Sequence, residues 1–191
     1  MTALVKVLTD PYLNRLGLAL FGVASGASLV SAVIVYYMED AMKVSAALAG
    51  SVGGLNPILA LLACPLAGKA YDRNRNASKL LFLSGSVMAI GISCASVATV
   101  YAAVLTVLLV GFCGGVGLTV GIAAAREVSL ADKEYETLAV AWMNGLTLYA
   151  GFFSSIMFSV VVLRFNYAVA WLTAAAFAFI LVSTVLFAKR S

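Results

Sequence analysis

Gly68-Lys69-Ala70-Tyr71-Asp72-Arg73-Asn74-Arg75-Asn76 is a compact charged stretch set between two long apolar runs, 45–67 and 80–98. About 20 consecutive apolar residues cover the roughly 30 Å hydrocarbon layer of a bilayer as a helix, and both runs reach about that length. The charged stretch then reads as a surface loop joining two membrane spans. Working outward, four further runs qualify, at 16–38, 101–125, 138–163 and 167–188. The reading is an all-α integral membrane protein of six spans forming one domain, 1–191. The third and fourth runs are separated only by Thr99 and Val100, so that turn is the least defined boundary.

Composition agrees. The chain is 63% hydrophobic and 10% charged, with a mean hydropathy of +1.06, which leaves too few ionisable groups to coat a soluble domain of this length. The first apolar run, from Leu16, exceeds a signal-peptide core, so it is expected to remain as a span. The basic balance comes without a basic cluster, so nucleic acid is not an expected partner. Cys64, Cys94 and Cys113 lie in apolar runs without paired spacing and read as free thiols. Histidine is absent, which removes His-based metal sites and triads. No catalytic residue, metal ligand or cofactor is expected, and the chain does not read as an enzyme.

Charge sets the orientation. With the N-terminus inside, Lys6, Arg15, Lys69, Arg73, Arg75, Lys79, Arg126, Lys133, Lys189 and Arg190 are cytoplasmic. Only Lys43 and Arg164 are outside, a split of 10 to 2. Basic residues in short loops favour the cytoplasmic side. The expectation is a multi-pass plasma (inner) membrane protein with both termini cytoplasmic and the lipid bilayer as its first partner.

Small residues recur four apart at Gly22/Gly26, Gly50/Gly54, Gly111/Gly115 and Gly117/Gly121, a spacing that lets helix backbones approach in lipid. A shift of 89 places Gly22, Gly26 and Leu29 on Gly111, Gly115 and Leu118. That faint match reads as three helices repeated with opposite insertion. Asn56-Pro57 interrupts the second span, where Pro57 frees a carbonyl one turn back and kinks the helix. No Asp, Glu, Lys or Arg lies deep in a span, so no proton relay or charged-substrate site is expected. Polar candidates inside are Ser25, Ser28, Ser31, Thr119, Asn144, Thr147 and Tyr149; Ser28 and Ser31, three apart, share a face.

Gly68, Asp72 and Arg73 fall as in the Gly-x-x-x-Asp-Arg-x-Gly-Arg-Arg/Lys loop between the second and third helices of a half of the major facilitator superfamily, and the chain resembles that family. Arg75 stands where the family has its second glycine, Asn76 where it has the next arginine, and Lys79 is displaced. The glycine-rich Val110-Gly111-Phe112-Cys113-Gly114-Gly115 lacks the arginine typical of an N-terminal half, so the resemblance is to a C-terminal one. The passage from Arg126-Glu127 through Glu136 to Thr137 and Gly151 is similar as well.

The resemblance implies a six-helix half with a 3+3 inverted repeat, first and fourth helices lining the cavity, second and fifth meeting another half. Gly68 would give a tight exit from the helix, and Asp72 would brace a gate against a partner's fifth helix near Thr137 and Leu138. Arg73 and Arg75 would pair with Glu127, Asp132, Glu134 or Glu136. Cavity candidates are Ser25, Ser28, Ser31 and Thr119; candidates at the junction of halves are Asn56, Pro57, Thr137 and Asn144. The implied activity is alternating-access transport of a small, neutral or apolar solute, by a homodimer or with a complementary six-helix half. The rival reading is a non-transporting membrane interaction or scaffold protein on the same half-fold.

Overall fold

The computed structural model describes residues 3–128 and 133–187 and is all-helical over them. A short helix, α1 (Ala3–Thr9), precedes six long ones: α2 (Pro11–Asp40), α3 (Ala46–Asn74), α4 (Ala77–Cys94), α5 (Val100–Val128), α6 (Lys133–Arg164) and α7 (Tyr167–Ser183). Single 3-10 stretches extend α4 through Val97 and α7 through Phe187. Six helices are long and apolar enough to cross a membrane. Asp132, expected among the partners of Arg73 or Arg75, and Lys189 and Arg190, expected on the cytoplasmic side, lie outside the described residues, as does the end of the last expected span at 188.

The helices outrun the apolar runs because their ends carry caps. Asp10 accepts from the backbone N–H groups of Tyr12 and Leu13 with Pro11 at the first helical position, so α2 begins five residues before its apolar run. Asn76 and Asn166 cap α4 and α7 through Lys79 N–H and Val169 N–H. The second span corrects the expected loop. α3 continues through Asn74, and the turn is made by Arg75 in the left-handed region (φ 50°). Gly68 therefore sits inside the helix rather than at its exit, and Asp72 and Arg73 ride its last turn. One glycine costs a helix only about 1 kcal/mol, too little to end it against a run of good helix formers. Pro57 and Pro65 are both accommodated within α3.

The bundle centres on α2 and α5, which cross at small residues. An added Cβ at Gly114 would meet Ala27 Cβ at 3.0 Å, and at Gly117 and Gly121 it would strike Val23 and Leu20. α3 packs on α5, and α6 packs on α2. α4 and α7 close the back, touching each other at Gly85 and Val182. Two apolar layers fill the interior, one around Trp171, Tyr37 and Met88, the other around Leu16, Leu20 and Met143. α3 and α6 are the least buried spans, with Leu61, Leu62, Leu148 and Phe152 exposed.

Candidate functional site

A cleft of about 480 Å³ opens on the bundle surface between α2, α3 and α5, near the middle of each. Its polar wall is Ser28, Ser31 and Asn56; Pro57, Gly111 and Gly115 form much of the rest. The two glycines create the geometry. A Cβ on Gly111 would lie 2.7 Å from the Asn56 carbonyl oxygen and 2.8 Å from its Oδ1, and one on Gly115 would strike the Ala60 backbone. α3 thus seats against bare α5 backbone from Asn56 to Ala60, which holds Asn56 at the cleft and 4% exposed.

Hydrogen bonding orients the amide. The Ser31 hydroxyl donates to the Ala27 carbonyl at 3.0 Å, so its oxygen is left to accept, and Asn56 Nδ2 donates to it. Asn56 Oδ1 consequently points away from Ser31, over Gly111, with no hydrogen-bond donor among the described residues. Pro57 brings no N–H, so the Gly53 carbonyl one turn back lacks its helical donor as well. Buried acceptors without donors are costly in an apolar medium, by about 1–3 kcal/mol each. Ser28, half-buried beside Gly151 of α6, joins this patch at the α2–α6 seam.

The expected cavity residues divide. Ser28 and Ser31 line the cleft. Ser25 does not: it is 2% exposed, its hydroxyl has no partner among the described residues, and at 100° per residue it lies about 120° around α2 from Ser31. Thr119 is also absent from the wall, its hydroxyl donating to the Gly115 carbonyl at 2.8 Å. Asn56, expected at a junction between halves, is buried within the chain, while Pro57, Thr137 and Asn144 are exposed. Among the described residues no three Cys, Asp or Glu side chains form a group able to hold a metal.

The charged end of α3 is tied to α5. Glu127 accepts from the Tyr71 hydroxyl at 2.8 Å and pairs with Arg75. Of the four acids considered for the arginines, Glu127 is thus the one Arg75 takes, and Tyr71 is an unforeseen third member. Asp72 and Arg73 are exposed and make no ion pair among the described residues. At the same end of the bundle Tyr135 of α6 donates to Asp10 Oδ2 at 2.8 Å, so the α2 cap also anchors α6. Arg15 donates to the Phe187 carbonyl, closing α7. At the other end Tyr167 donates to Asp40, which pairs with Lys43 at 3.7 Å. The Asp10-Pro11 dipeptide was a readable cap signal. Tyr71 with Glu127, and Tyr135 with Asp10, are too far apart in sequence to leave one.

Fold and site define a helical membrane protein with a small polar cleft at mid-length. No protein-family model matches the chain, and no curated protein matches it.

Proposed function

We propose that the chain is a major-facilitator-like half-transporter, moving a small uncharged solute by alternating access between its cleft and a second six-helix unit. The observation that carries this is Ser28, Ser31 and Asn56 gathered on an otherwise apolar surface, midway along three spans. Lipid cannot satisfy an open amide oxygen at that depth, so water, solute or another protein surface belongs there. Without an ionisable group in the wall, the cleft suits an uncharged solute.

Helix pairing gives further support. α3 on α5 and α6 on α2 are the same contact if the first three spans are exchanged for the last three, and α4 on α7 maps onto itself. An inverted repeat has that property. The weakly buried α3 and α6 flank the core on either hand, where a second unit would dock. With both termini inside, Asp72, exposed and unpaired among the described residues, is free to face that unit's α6 N-terminus, where an anion meets the positive helix end.

The test is the native mass of the particle in lipid nanodiscs. Two chains, or one chain with a second six-helix protein, is the expected result; a stable particle of one chain alone contradicts the proposal.

A further inference from the structure

A second concavity, also about 480 Å³, lies between α4 and α5 and is walled almost entirely by carbon. Leu80, Leu83 and Val87 line it from α4, Leu108, Phe112 and Val116 from α5. Its one hydroxyl, on Ser84, donates to the Leu81 carbonyl at 3.2 Å. On α5 the five residues that line this groove centre about 160° around the helix, at 100° per residue, from the five that line the polar cleft. A unit seated over the polar cleft therefore leaves this groove facing hydrocarbon.

One end carries charge. Lys79, Leu83 and Val87 stand four apart, one above another on α4, so the lysine sits at the mouth of the groove, next to Leu80 and one turn before Leu83. Lys79 is exposed and makes no ion pair or side-chain hydrogen bond among the described residues. The stretch 68–79 carries Lys69, Arg73, Arg75 and Lys79 against Asp72 alone. From Leu80 to Val87 the helix rises about 10 Å, some two-thirds of one leaflet's ~15 Å hydrocarbon depth.

We propose that this groove is a specific site for an anionic phospholipid of the leaflet on the Lys79 side, an acyl chain lying between α4 and α5 and the phosphate at Lys79. The apolar walls and their depth select a chain rather than a polar solute. The lone cation at the mouth selects a negative headgroup, since a basic residue at a membrane surface favours anionic lipid about fivefold.

The experiment uses the full chain in nanodiscs of phosphatidylcholine doped with phosphatidylglycerol or phosphatidylcholine bearing a diazirine in the acyl chain, with crosslinks mapped by mass spectrometry. Phosphatidylglycerol is expected to label residues 80–87 and 108–116 several-fold more than phosphatidylcholine does. Lys79→Gln should cut that preference about fivefold and leave labelling by phosphatidylcholine unchanged, whereas Lys69→Gln leaves both. Leu83→Trp should block groove labelling by either lipid while the helical circular-dichroism signal persists. Crosslinks spread evenly over all exposed helix faces would overturn the site. A preference for phosphatidylglycerol that survives Lys79→Gln would overturn the headgroup assignment.

Discussion

Gly115→Ala tests the tight seat of α3 on α5. The new methyl carbon would stand 2.8 Å from Ala60 Cα and 3.0 Å from its carbonyl carbon, against an ordinary contact of 3.4 Å or more. The Ala60 carbonyl oxygen is nearer still, and all three obstacles are backbone, so no rotamer change relieves them; α3 must move off α5 by about 1 Å over at least a turn. Overpacking against backbone falls in the upper part of the usual range, about 2–3 kcal/mol, offset in part by the helix-propensity gain of about 1 kcal/mol on losing a glycine. A net loss of about 1–2 kcal/mol lowers Tm by about 2–8 °C in a chain of this size. Gly54→Ala is the control, since nothing lies within 4 Å of its Cβ position; it should be neutral or slightly stabilising. The assay is thermal unfolding in detergent followed by the fluorescence of Trp142 and Trp171. Equal midpoints for the two variants would refute the notch between α3 and α5.

Other perturbations separate the remaining contacts. Tyr71→Phe and Glu127→Ala should each cost about 1–2 kcal/mol, the double mutant falling short of their sum by about 1 kcal/mol; additive midpoints would mean that the hydroxyl and carboxylate do not interact. Asp10→Ala removes the α2 cap and the Tyr135 acceptor together and should cost about 1–2 kcal/mol, with Asp10→Asn recovering the cap; equal losses from both would deny the cap its role.

Six spans were legible because hydropathy alone sets them, and lipid demands unbroken helices. Their ends were less so. The charged stretch 68–76 read as a loop, yet most of it is helix, because charged side chains at a span end reach water without the backbone unwinding. The turn at Arg75 depends on a left-handed residue that its side chain does not announce. Spacing alone joined Ser28 to Ser31, but which way that face points depends on tertiary packing, as Ser25 shows. The four-residue glycine pairs look alike in sequence; Gly111/Gly115 receive a helix backbone, while Gly50 and Gly54 meet nothing within 4 Å. Asn56 was singled out for its neighbour Pro57, and its bond to Ser31 and its orphaned Oδ1 emerge only once α3 lies on α5.

The most direct test of the polar cleft as a solute path is the reactivity of Ala32→Cys in a background with Cys64, Cys94 and Cys113 replaced by alanine. Ala32 is exposed and lines the cleft without taking part in the Asn56–Ser31 bond; Ile90→Cys, on an exposed face of α4, is the comparison. In sealed vesicles of known orientation, a water-soluble methanethiosulfonate should label position 32 from either side and leave position 90 unlabelled. A cysteine at 32 as inert as the one at 90 would contradict the account.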